Sequence, residues 1–391
     1  MSMKFSARTN WNTEESELAR ALAARRAAGK PVYDLSNTNP TRCGFTYSEG
    51  LLAALASPAA LEYDPNSKGL LSAREAVVRY YAEHGVAVDA EQLVLTTSTS
   101  EAYSYLFQLL CDAGSEVLVP QPSYPLFDFL GTLSDIRLTS APLVYDHGWQ
   151  LELEGFRRAI TPRTRAIVLV HPNNPTGHFT KPWEAEFITG LCLEHGLALI
   201  VDEVFLDFAL SGEAGASFAA GLADVNCFVV SGISKICGLP QMKAAWIAVT
   251  GPDRAESMAR LEVIADTFLS MNAPVQAALP HWLGGRQSIQ LQILTRLRSN
   301  LASLDQLLAG QQLIHRLEAE GGWYAVLRVP ALGDDEQIAV KLLDRGVYLH
   351  PGSFFGMPSS GWLVLSLLTP EQEFLTGVTG IIDYFDTNQM S

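Results

Sequence analysis

Short apolar runs alternate with longer stretches in which apolar residues recur at helical spacing, through about residue 251. "QLVLTT" (92–97), "SEVLVP" (115–120), "RAIVLVHP" (165–172), "LALIVDEV" (197–204), "NCFVVSG" (226–232) and "AAWIAVTG" (244–251) are nearly continuous in apolar side chains. That is the pattern of strands covered on both faces. Between them, "REAVVRYYAEHG" (74–85), "SEAYSYLFQLLCDAG" (100–114), "YPLFDFLGTL" (124–133) and "PWEAEFITGLCLEHG" (182–196) read as helices. Three of these end on a glycine, the usual helix stop. Residues 13–29 predict a further helix, and "DLSNTNPTRCGF" (34–45) a turn-rich linker.

Beyond residue 252 the pattern is helical to about residue 318. Then come "GGWYAVLRVP" (321–330), a helix near 334–345, "GVYLHPG" (346–352), "GWLVLSLL" (361–368) and a last helix. Strands separated by helices predict a three-layer α/β/α large domain with a mostly parallel sheet over residues 46–285. The remainder predicts a smaller α+β domain over residues 286–391, joined by an N-terminal arm, residues 1–45. No internal repeat or low-complexity tract interrupts this order.

Composition narrows the function classes. With 391 residues, 48% of them hydrophobic and 18% charged, the chain can bury a sizeable core and is not of a disordered type. The formal net charge is −15, and no basic stripe marks a nucleic-acid partner. No run approaches the ~18 apolar residues of a membrane span. The N-terminus, "MSMKFSARTNWNTEESE", has no apolar signal core. Five scattered cysteines, Cys43, Cys111, Cys192, Cys227 and Cys237, suggest reduced thiols and a cytoplasmic protein. Cys237 reads as a small apolar filler rather than a nucleophile.

The candidate chemistry lies where strands end, because ligands of open α/β sheets bind outside the carboxyl ends of the strands. Five groups fall there: Ser98, Thr99 and Ser100; Tyr124; Asn174 within "NNPTG"; Asp202; and Lys235 within "SGISKICGLP". Taken singly, these are more simply a helix cap, a core aromatic, a turn, a cap and a loop lysine. Taken together, one ligand accounts for all of them, pyridoxal 5'-phosphate (PLP). Lys235 would hold its aldehyde as a Schiff base. Asp202 would face the ring nitrogen and Tyr124 would stack on the ring. Asn174 would donate to the phenolic oxygen. Ser98, Thr99, Ser100 and their helix start would hold the phosphate dianion, with Lys243 as an added cation.

"HPNNPTG", "VDEVF", "SGISKICGLPQMK", "PSYPLF" and "YDPNSKGLLSAREAV" together resemble the class I/II, fold-type I PLP-dependent aminotransferases of the aspartate aminotransferase superfamily. The resemblance runs from about "DLSNTNP" to the C-terminus. It implies amino-group transfer between an amino acid or amine and a 2-oxo acid. It also implies a homodimer, in which Tyr63 reaches the partner's cofactor phosphate, and a Lys235 that shuttles a proton once freed. Four departures stand out. Lys243 replaces an arginine, and Gly232 replaces a serine for which Ser231 or Ser234 could compensate. Phe205 replaces the tyrosine of "DEVY". Val364 stands where the family's "R-L-S-F" arginine holds the substrate carboxylate. Thr38, Arg42 and Asn174 are the substrate-side candidates, with Arg42 the expected substitute cation and Arg328 a weaker second. A PLP-dependent lyase acting by β-elimination uses the same residues, since the cofactor does not fix the reaction. A non-catalytic PLP-binding regulator is the weak third reading.

Overall fold

The computed structural model describes residues 3–212, 215–222 and 224–388. Its strands in chain order are β1 Tyr33–Asp34, β2 Leu93–Thr96, β3 Glu116–Gln121, β4 Arg137–Tyr145, β5 Trp149–Leu151, β6 Thr164–Val170 and β7 Ala198–Asp202. They continue with β8 Cys227–Gly232, β9 Ala245–Thr250, β10 His315–Arg316, β11 Tyr324–Arg328, β12 Val347–Tyr348, β13 His350–Pro351 and β14 Trp362–Ser366. Eight of them form one sheet in the order β2-β9-β8-β7-β6-β3-β4-β5. The pairs β8–β7, β7–β6, β6–β3 and β3–β4 are parallel. β9 runs antiparallel to both β8 and β2, so β2 points the same way as β8.

Side chains alternate across a strand, and here both sets are apolar. Leu93, Leu118, Ile167, Leu169, Leu199, Val201 and Val229 point into one buried cluster, which the helices Leu71–Glu83, Pro182–His195 and Ala273–Gly284 complete. Val94, Val117, Val168, Ile200, Phe228 and Val230 point into another, closed by Thr99–Leu110 and Arg254–Phe268. Helices on both faces of one sheet make the three layers expected of the large domain.

A second, antiparallel sheet has the order β10-β11-β14-β13. Its core joins Leu363 and Leu365 to Leu18, Ile293, Leu297, Ile338 and Phe374 of the helices around it. β1 pairs in parallel with β12, which ties the N-terminal arm to this small domain. Several elements are not visible in the apolar pattern, among them β4, β5 and the helix Leu153–Ala159; β10 also falls inside the stretch to about residue 318 expected to be helical, whose last helix ends at Leu308. β4 lies near the sheet's margin, and of its nine residues only Ala141 and Leu143 are buried. A strand so little covered leaves no continuous apolar run.

Candidate active site

The register of the large sheet aligns the ends of its strands. Ala245 at the start of β9 faces Thr96 on one side and Gly232 on the other. Asp202 at the end of β7 pairs with Val230 of β8 and with Val170 of β6. The residues that follow β2, β8, β6 and β3 therefore emerge along one edge beside Asp202. Ser98 to Ser100, Lys235, Asn174 and Tyr124 are those residues.

Gly232 ends β8, and the turn Ile233–Ile236 then carries Lys235. A Cβ on Gly232 would lie 2.8 Å from the Ala244 carbonyl and 2.8 Å from the Ala245 Cβ. No side chain fits there, which accounts for the missing serine. Ser231 cannot compensate: it is fully buried, and its hydroxyl donates to the Glu203 carbonyl at 3.4 Å. Ser234 is half-buried and remains. The Lys235 Nζ lies 4.9 Å from the ring centre of Trp323 and 5.5 Å from that of Phe205. Burial among these rings pulls its pKa down to about 8, against the opposing pull of the Asp202 charge.

Asp202 is buried, and burial pushes its carboxyl up to about 6. The Val204 N–H donates to Oδ1 and the Tyr103 hydroxyl to Oδ2, each at 3.1 Å. The two asparagines of "NNPTG" divide their tasks. Asn173 spends its amide on the loop, donating to the Pro122 carbonyl at 3.2 Å and to the Thr176 hydroxyl at 2.9 Å. Asn174 is buried with its Oδ1 unpartnered among the described residues.

At the helix start the Ser98 hydroxyl accepts from the Glu101 N–H at 3.1 Å, and the Thr97 N–H donates to the Glu101 carboxylate at 2.6 Å. Ser98 is thus the N-cap of Thr99–Leu110, and its hydroxyl is already engaged. Thr99, Ser100 and the first-turn N–H groups are what that end offers an anion. Lys243 is exposed and adopts a left-handed backbone (φ 53°) two residues before Ala245, at the same edge. Tyr124 keeps 38% of its surface exposed, with its ring edge-on to Phe127.

A scan against family models matches residues 38–374 to the family described as aminotransferase class I and II. The chain belongs to that family. An alanine aminotransferase of Mycobacterium tuberculosis is 31% identical over 381 residues, covering 88% of this chain and 84% of the relative. A glutamate-pyruvate aminotransferase of Escherichia coli is 30% identical over 343 residues, covering 84% of each chain. Among solved structures, an alanine aminotransferase from Pyrococcus furiosus superposes with a TM-score of 0.89 at 23% identity, over 98% of this chain and 100% of that one. This class I/II aminotransferase is a PLP-dependent enzyme of fold type I.

The small domain supplies residues that the sequence reading missed. Trp323 caps the lysine, as above. Tyr324 is half-buried as a residue, its hydroxyl is pushed up to about 12 by desolvation, and it meets the side chains of Thr38 and Asn174. Val364 is fully buried, opposite Val326 on β11 and His350 on β13. Alternation puts Tyr324, Val326, Val364 and His350 on one face of the small sheet, and Phe355 and Met357 pack with the two valines. At Val364 this face carries an apolar side chain, at the position where the resemblance set an arginine. Arg328 cannot serve, because it donates to the Ser360 carbonyl at 2.6 Å and lies 4.5 Å above the Trp362 ring. Arg42 is exposed, and its side chain has no ion pair or hydrogen bond among the described residues. Tyr63 is 82% exposed on the surface of the protomer. An aromatic just after a glycine pair, as in "GGWY", was the one sequence signal that a backbone approaches closely there.

Proposed function

We propose that this aminotransferase attaches PLP through Lys235 and moves amino groups between an amino-acid donor and a 2-oxo acid. The observation that carries the reading is the Lys235 amine, enclosed by Trp323 and Phe205 and drawn to about 8 beside the Asp202 carboxylate. An amine poised near neutral pH can be a nucleophile and, when free, a base. The residues present fit the cofactor. Asn174 is buried at that edge, the start of Thr99–Leu110 offers its first-turn N–H groups, and Lys243 is exposed there with no ion pair among the described residues. The ring, when bound, supplies an aldehyde carbon and an electron sink.

In this reading Asp202 holds the charge of the ring nitrogen and Asn174 orients the ring. Thr99, Ser100, Ser234 and Lys243 take the phosphate. Tyr124 would lie against the ring. Phe205 gives no hydroxyl to the phenolic oxygen, so Asn174 is the side-chain donor there. Lys235 Nζ carries the proton to and from the substrate α-carbon. At the substrate end Tyr324 and Thr38 offer neutral hydrogen bonds and Arg42 the cation. The enzyme acts as a cytoplasmic homodimer with Tyr63 reaching across. Its five unpaired thiols suit a reducing compartment, and no helix among the described residues is long and apolar enough to cross a membrane. Relatives named for alanine and for glutamate and pyruvate make L-alanine and L-glutamate the first donors to try. Borohydride treatment of the cofactor-loaded enzyme should fix the cofactor on the peptide containing Lys235. Label on another lysine, or on none, would overturn the assignment.

A further inference from the structure

The geometry assigns Tyr103 a positioning role: its hydroxyl fixes the rotation of the Asp202 carboxylate and keeps it ionised where the cofactor ring nitrogen binds. Resting on the PLP reading above, this concerns a residue that the strand-end pattern does not reveal. Tyr103 lies in mid-helix, four residues after Thr99, and is only 2% exposed. Its ring is wedged edge-on against Phe127 at 5.0 Å and tilted against Phe107 at 5.9 Å. Among the described residues the hydroxyl has one hydrogen-bond partner, Asp202 Oδ2 at 3.1 Å.

The consequence follows from counting hydrogen bonds. A buried carboxylate next to a protonated pyridine can take the proton itself, and the ring would then lose its positive charge. Burial pushes Asp202 toward that outcome, and even with its donors in place the carboxyl stands at about 6. Two fixed donors oppose it, the Val204 N–H on Oδ1 and the Tyr103 O–H on Oδ2. Hydrogen bonds to the charged form favour that form. The Tyr103 phenol is held well above its ordinary range by burial and by the Asp202 charge, so it stays a donor and never competes as an anion. The N–H belongs to the turn after β7 and no side-chain substitution removes it, which leaves Tyr103 as the side-chain control of the pair. Because the helix that carries Tyr103 also offers its first turn to the phosphate, one rigid element would set both ends of the cofactor.

Tyr103→Phe removes the hydroxyl and keeps the ring, so the variant should fold and load cofactor. The test uses holoenzyme loaded with PLP labelled with ¹⁵N in the ring, and L-alanine with 2-oxoglutarate as the substrate pair. The ¹⁵N resonance of the variant should move toward the value of unprotonated pyridine. The turnover number should fall about ten- to a hundredfold, the range for one hydrogen bond to a charged group, with KM little changed. An unchanged ¹⁵N resonance overturns the proposal, whether or not turnover falls, because Tyr103 then acts by packing alone. Trapping at Lys235 in the parent and the ¹⁵N shift of Asp202→Asn check the PLP reading separately. If those two fail, the site is misread. If they hold and Tyr103→Phe is silent, only the role of Tyr103 falls.

Discussion

An amine enclosed by aromatic rings costs stability, and Lys235 shows the sign of that cost. Its folded pKa of about 8 lies below the unfolded value of 10.5. Below about 8 both states are protonated and the full cost is carried. Between about 8 and 10.5 the unfolded chain holds the proton that the folded chain has released, so the penalty fades as pH rises. Lys235→Met should therefore stabilise the cofactor-free enzyme by about 1–3 kcal/mol at pH 7, and by less toward pH 10. Urea unfolding at the two pH values measures it, and a gain that does not shrink with pH would sink the argument. A second residue-scale prediction concerns Arg42. Arg42→Ala should raise KM for amino-acid donors about ten- to a hundredfold and leave simple amines unaffected. Parallel KM values with L-alanine and an alkylamine decide it, and equal effects on both would remove Arg42 from the carboxylate site. Lys235, Asp202 and Asn174 were legible because each immediately follows an apolar run. Tyr103 and Tyr324 were not, since one sits inside a helix and the other starts a strand of a different sheet.

At the scale of elements, the "NNPTG" turn is also a clasp. The Gly177 carbonyl accepts from the Glu320 N–H at 3.2 Å and from the Gly321 N–H at 3.0 Å. The Glu320 carboxylate returns to the Phe179 N–H at 3.0 Å and to the Lys181 ammonium. The loop that carries Asn174 is thereby bonded to the segment that leads into Trp323 and Tyr324. Gly177 has φ +73°, and a Cβ there would stand 2.5 Å from the Gly321 carbonyl oxygen. Gly177→Ala adds left-handed strain to overpacking, for a loss of about 1–3 kcal/mol. It should also weaken PLP binding, read as a raised dissociation constant in absorbance titration. Parent-like stability and affinity would show that the clasp yields without cost. The turn itself was readable from Asn, Pro and Gly in sequence. Its partner was not, because Gly177 and Gly321 are distant in the chain and a lone glycine pair names no contact. β4 stayed hidden for the opposite reason, since its exposed side chains and internal Pro142 look like loop.

For the whole molecule, apolar side chains stand exposed around Tyr63. Leu61 is 91% exposed, Tyr63 82%, Val263 68% and Phe268 54%. Tyr63, Leu269 and Ser270 line one shared depression, so the two segments form a single patch. Such a patch is costly to leave in water. Sedimentation at micromolar concentration should show a dimer, and Tyr63→Phe should weaken PLP binding by about 0.5–1.5 kcal/mol, one neutral hydrogen bond. A fully active monomer would end the shared-site picture. The three-layer architecture and the small domain followed from apolar periodicity alone. How the two domains meet did not, because that contact is made by single residues at element ends and by backbone carbonyls.

The edge that gathers Thr38, Ser98, Tyr103, Asn174, Asp202, Lys235 and Tyr324 draws on nearly the whole length of the chain. A polypeptide leaving the ribosome completes the eight-stranded sheet by residue 250, yet Trp323 and Tyr324 are still to be made. Until they emerge, Lys235 lacks its aromatic lid and Asn174 its neighbour on β11. The groups proposed to hold the coloured cofactor are all made by then, so a chain cut short before β11 would lack the substrate wall that Tyr324 adds rather than the cofactor cradle.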